Sequence, residues 1–206
     1  MNIKNFFVGS AAGALMLASS VFPAFAAPAF RITVAPFSFN ALGLADFDPS
    51  LNGPAAHGQW MRVGGDWILS LAKNVPTAEV ASAGAQVNGV KGATLSELGF
   101  DYRIDGWCGA GAPRFNVSTT VGTYFFFGCT YGTHTVVDAD WTRVRFGNGD
   151  AFPADGITPW PGFGTAVVTG ISVVFDEGTD VGSGKAYLDN IDVNGVLAGG
   201  PGSATN

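Results

Sequence analysis

Apolar and polar residues alternate with a period of two in short runs along this chain, and glycine-rich breaks separate the runs. Residues 98–105 show it most fully: apolar side chains fall at Leu98, Phe100, Tyr102 and Ile104, while Asp101, Arg103 and Asp105 take the other parity. Successive side chains of a strand point to opposite faces, so this run predicts a half-buried strand. Residues 114–118 alternate in the same way, with Arg114, Asn116 and Ser118 on one side. Residues 141–146 place Trp141, Arg143 and Arg145 together. Residues 67–71 read as a more buried strand, and 124–127 as an aromatic strand buried on both faces. Residues 166–168 and 170–175 read as central strands, and 185–193 as the last.

Turn residues punctuate these runs, among them Gly64-Gly65, Asn88-Gly89, Asn148-Gly149-Asp150 and Gly182-Ser183-Gly184. No segment has a convincing helical period. Residues 76–85 are open between a strand and a short turn, and residues 36–59 read as a long loop ahead of the fold proper. Eight or nine strands without intervening helices predict an all-β antiparallel sandwich of jelly-roll type. One domain, residues 27–198, is expected, with a flexible tail over 199–206.

Residues 6–22 carry no charge, follow Lys4, and lead into Pro23-Ala24-Phe25-Ala26, whose small residues at 24 and 26 match a signal-peptidase site. Residues 1–26 are therefore expected to be a cleaved leader and the protein to be secreted or periplasmic, with no membrane association afterwards. Without Lys4, nine basic residues face sixteen acidic ones. That balance, with no Lys/Arg run, argues against a nucleic-acid partner. Cys108 and Cys129 are the two cysteines. An isolated pair in an oxidising compartment is expected to bridge, and closing this loop would contribute about 3 kcal/mol on a chain-entropy estimate.

Catalytic patterns are weak. The two histidines are His57 and His134, the mature chain has no G-x-S-x-G elbow, and three glutamates are present. The strand faces say more. If the strands over 98–105, 114–118 and 141–146 are neighbours in one sheet, Asp101, Arg103, Arg114, Asn116, Trp141, Arg143 and Arg145 share one surface. Sugar rings stack on exposed indoles, and their hydroxyls bond to such planar polar groups. Trp107, Tyr131 and Trp160 are further candidates for exposed aromatics.

The closing stretch Ala186-Tyr187-Leu188-Asp189-Asn190-Ile191-Asp192-Val193 resembles the last strand of jelly-roll carbohydrate-binding modules of the galactose-binding-like superfamily. That resemblance implies a sandwich fold, and it implies Asp189 as a ligand of a structural calcium ion. Asp46, Asp48, Asp176, Glu177 and Asp180 are the acids available to complete its oxygen shell. The block over 95–129, with Cys108-Gly109-Ala110-Gly111-Ala112-Pro113-Arg114-Phe115 at its centre, is similar to exported proteins with no assigned activity and implies no function. The expectation is a secreted, non-catalytic binding module for carbohydrate or another extracellular ligand. A structural or matrix protein acting through self-assembly or adhesion is the alternative, and a hydrolase the third reading. The sequence leaves the oligomeric state open.

Overall fold

The computed structural model describes residues 31–40 and 54–202. The expected leader, Asp46, Asp48 and the end of the expected tail lie outside them. Among the described residues thirteen strands form two antiparallel sheets. The six-stranded sheet has the order β1 (Thr33–Asn40), β4 (Ala81–Asn88), β11 (Val168–Phe175), β6 (Arg114–Thr119), β7 (Thr123–Phe127), β10 (Phe152–Pro153). The seven-stranded sheet runs β2 (Ala56–Val63), β3 (Asp66–Lys73), β12 (Lys185–Val193), β5 (Leu98–Arg103), β9 (Trp141–Arg145), β8 (Thr133–Val136), and β13 (Val196–Ala198) pairs with β12. The chain crosses between sheets repeatedly, from β3 to β4 to β5 to β6 and again from β11 to β12, which is the jelly-roll route. The strand count exceeds eight or nine because short edge pieces such as β8, β10 and β13 carry too few residues to show a period.

Inward parity builds one core. Phe100, Phe115, Phe126 and Tyr124 are fully buried, and Phe146 and Trp160 pack against them with centroids 4.9–6.1 Å apart. The Tyr124 hydroxyl donates to the Pro159 carbonyl at 2.9 Å, so its polar end is satisfied inside the sandwich. The Cys108–Cys129 disulfide, with Cα atoms 5.3 Å apart, ties the loop before β6 to the end of β7.

Three expectations are corrected. Residues 36–59 are not one long loop: β1 and β2 occupy its two ends, and both are edge strands, where Pro36 costs no ladder bond. β7 is not buried on both faces, because Tyr124 and Phe126 enter the core while Phe125 and Phe127 lie half-buried on the outer side. Trp107 and Trp160 are not free platforms. The Trp107 indole donates to Glu177 Oε2 against Gly109 and Gly182, and Trp160 donates to Asn148 Oδ1 over the aromatic core.

Candidate binding site on the seven-stranded sheet

β5 and β9 are neighbours, so the outward residues of both strands stand opposite one another as the alternation requires. The register pairs Asp101 with Arg143, Arg103 with Trp141 and Gly99 with Arg145. Arg143 Nε and Nη2 donate to the two Asp101 oxygens at 2.7 and 2.8 Å, a planar fork that fixes both side chains. Those bonds hold the Arg143 pKa above its usual value. Asn190 Nδ2 adds a third bond to Asp101 at 2.9 Å, so a carboxylate only 2% exposed is fully partnered. On the next rung Arg145 crosses Gly99 to reach Asp192 at 2.7 Å, and its Nε donates to Glu97 at 3.2 Å. A Cβ on Gly99 would overlap both the Arg145 guanidinium and the Val144 carbonyl oxygen, so glycine is what opens this path. Arg103 lies 4.2 Å over the Tyr187 ring and forks onto Asp105.

β12 supplies the feature that simple alternation misses. Its pairing with β5 jumps from Asp189–Asp101 to Asp192–Gly99, and Asn190 takes a positive φ of 46° at the irregularity. The bulge resets parity: Leu188 faces inward, then Ile191 and Val193 do, while Asp189 and Asp192 both stand on the outer side. No single parity holds along the whole strand. Asp189 accepts a bond from the Asn190 N–H at 2.7 Å. Burial, with Asp101 and Asp66 close by, pushes its pKa up to about 6 despite that bond and Arg143. Burial also raises the pKa of Asp192.

Asp101, Arg103, Trp141, Asp189 and Asn190 line a cavity of about 340 Å³. Its floor is Asp101, Asp189 and Asn190; Asp66, Ile68 and Val63 form one wall, and Arg103, Trp141, Asp138 and Asp140 the other. Asp138 Oδ1 accepts from the backbone N–H groups of Asp140 and Trp141, which fixes the turn that presents the indole. Among the described residues the Trp141 indole N–H bonds to no protein group.

Five of the expected ligand-binding residues, Asp101, Arg103, Trp141, Arg143 and Arg145, therefore share one surface. Arg114 and Asn116 do not join it. They sit on β6 in the other sheet, where Arg114 forks onto Asp176 at 2.6 and 2.7 Å and bonds Asn116 Oδ1 at 3.1 Å. Strand alternation gives the face of a residue within its own sheet and is silent about which sheet that is. Asp66, Asp138, Asp140 and Asn190 were not foreseen. Asp66 opens β3, Asp138 and Asp140 lie in a turn, and Asn190 is the bulge residue; none falls on a periodic position.

Of the acids offered for the calcium site implied for Asp189, Asp46 and Asp48 lie outside the described residues and the other three are engaged elsewhere. Asp176 is held by Arg114, Glu177 accepts from Trp107 and from the Gly111 N–H, and Asp180 accepts from Thr77. Among the described residues no group of three or more His, Cys, Asp or Glu side chains is placed to hold a metal ion. His134 stands 6.0 Å from the Tyr102 ring beside the disulfide, in a separate cavity of about 510 Å³. Among the described residues no helix is long and apolar enough to cross a membrane. Comparison with family models, with curated proteins and with solved structures finds no match for this chain.

Proposed function

We propose that this protein is an exported, non-catalytic binding module for carbohydrate, and that the cavity bounded by Trp141, Arg103, Asp101, Asn190 and Asp189 is its site. The observation that carries the reading is the pairing of an unbonded, half-exposed indole with a polar floor whose side chains are locked before any ligand arrives. A sugar needs an aromatic face for its C–H side and fixed planar groups for its hydroxyls, and locking them in advance lowers the cost of binding. Asp189 can accept when ionised and donate when protonated, which suits a neutral hydroxyl in either state.

A hydrolase is the second reading, favoured by the raised pKa of Asp189 beside a second carboxylate. Binding fits better, because both Asp101 oxygens already accept from Arg143 and one also from Asn190, so neither is available as base or nucleophile. A screen of neutral oligosaccharides and polysaccharides against the chain, with and without a calcium chelator, tests this. The expected result is a glycan retained in both conditions and weakened roughly tenfold or more by Trp141→Ala, with the melting temperature unchanged. Absence of any bound glycan overturns the reading. Shortened oligosaccharides in the mixture, lost in Asp189→Asn, transfer the site to the hydrolase.

A further inference from the structure

We propose that the Lys73 ammonium is the structural cation of this sandwich, filling from within the chain a cradle of backbone carbonyls that would otherwise suit a metal ion. Lys73 ends β3 and is 1% exposed. Its Nζ donates to the carbonyl oxygens of Thr77, Glu79 and Asp176 at 2.8, 2.7 and 2.9 Å. An ammonium has three protons, and these acceptors take all of them. Among the described residues it forms no ion pair, because the nearby Asp176 carboxylate is committed to Arg114 and the Asp180 carboxylate to Thr77. Converging carbonyl oxygens around a buried positive charge are the ligand set that hard cations take.

The location gives the cation its role. Thr77 and Glu79 belong to the loop from β3 to β4, and Asp176 follows β11, so one ammonium joins segments 103 residues apart. The same two segments are stitched again where Asp180 accepts from Thr77 N and Oγ1 and Thr77 Oγ1 accepts from the Gly178 N–H. β3 and β12 come from one sheet and β4 and β11 from the other, so this junction fastens the two layers. Burial lowers the Lys73 pKa, and Asp176, Asp180 and Glu79 oppose that shift through their charges. A depressed lysine beside a cavity could suggest a nucleophilic amine. The geometry argues otherwise, since three carbonyl acceptors hold the ammonium form, which has three protons and no lone pair to offer.

Lys73 also lines a cavity of about 400 Å³ with Thr77, Glu79 and Asp176, so a small cation can reach the cradle once the side chain is shortened. Thermal unfolding of the wild type, Lys73→Met, Lys73→Arg and Lys73→Ala is the test, each with excess calcium, with a chelator and with n-propylammonium. The wild-type midpoint is expected to be the same with calcium and with chelator. Lys73→Met, which keeps the length and removes the charge, is expected to melt about 10 °C lower, and Lys73→Arg to lose less. In Lys73→Ala, n-propylammonium is expected to raise the midpoint, and it should do nothing for the wild type or for Lys73→Met. A wild type that melts lower in chelator, or a Lys73→Met as stable as wild type, overturns the proposal. If neither neutral variant folds, the Lys73→Arg midpoint and the wild-type chelator comparison still decide it.

Discussion

The outer faces of the two sheets are built from different chemistry. On the six-stranded sheet, Phe125, Phe127, Phe152 and Tyr131 lean on one another with centroids 4.6–6.4 Å apart, and Arg114 packs 5.5 Å over Phe125 while holding Asp176. Its amide Gln86 donates to the Ile171 carbonyl at 2.7 Å. Aromatic rings shield one another there, and the ion pair lies partly in water, so the arrangement opposes nothing in the fold. On the seven-stranded sheet, Asp101 and Asp192 are almost fully buried beneath arginines, and Asp189 stands close to Asp101 with its pKa raised. Folding alone gives no reason to place Asp189 so close to Asp101 and Asp66. Stability conceded in one place, on the face that also holds the cavity and an unbonded indole, is what the proposed binding role of that face would require.

Matched substitutions on the two faces should separate them most widely at the ion pairs. Asp101→Ala leaves Arg143 and Asn190 without their acceptor in a site where the lost carboxylate was 2% exposed. Removing one partner of a buried pair costs about 3–5 kcal/mol, and the Arg143 side chain, at 35% exposure, recovers part of this from water, so about 3 kcal/mol is expected. Arg114→Ala leaves Asp176, whose side chain is 36% exposed, able to hydrate at once, and about 1 kcal/mol is expected. Urea denaturation of both variants gives the two numbers, and equal losses would erase the distinction between the faces.

A smaller gap is expected from the same glycine-to-alanine change on each face. At Gly99 the new methyl group overlaps the Val144 carbonyl, which is backbone, and closes the path of Arg145 to Asp192. Overpacking of this kind costs about 2 kcal/mol. At Gly170 on β11 a Cβ meets nothing within 4 Å, and a change within about 0.5 kcal/mol is expected. Midpoints from the same urea titrations read both. A neutral Gly99→Ala would mean that the Arg145–Asp192 rung can be made by another route.

The contrast between the faces was only half legible in the sequence. Alternation placed Asp101 with Arg103, and Trp141 with Arg143 and Arg145, because β5 and β9 pair in an unbroken register, the setting in which period two survives. It misplaced Arg114 and Asn116, since sheet membership depends on crossovers that leave no local trace. It could not resolve β12, where one bulge residue at positive φ swaps the faces mid-strand, and Asn is a residue that tolerates that conformation without announcing it. Lys73 read only as the end of a strand, because its partners are backbone carbonyls, which every residue type supplies equally.

The smallest effect is the one that bears most directly on why the charged face exists. An aspartate in an unfolded chain titrates near its ordinary value of 3.8, whereas Asp189 in the folded protein titrates at about 6. The folded state therefore binds this proton more tightly than the unfolded state, and the wild type loses stability as pH rises from about 4 to about 6. A full shift of that size corresponds to about 3 kcal/mol, and Asp189 is only half-buried, so screening by water reduces it to about 1–2 kcal/mol. Asn cannot ionise, and its carbonyl oxygen can still accept from the Asn190 N–H. Asp189→Asn should thus match the wild type near pH 4 and be more stable by about 1–2 kcal/mol at pH 7, in denaturation curves taken across that range. The same change at Asp176 on the other face removes an acceptor from Arg114 and should be destabilising at pH 7. A carboxylate that makes the fold weaker wherever it is charged is consistent with the binding role proposed for Asp189. If Asp189→Asn instead proves neutral or destabilising at pH 7, Asp189 is an ordinary surface acid and the case for the cavity rests on Trp141 alone.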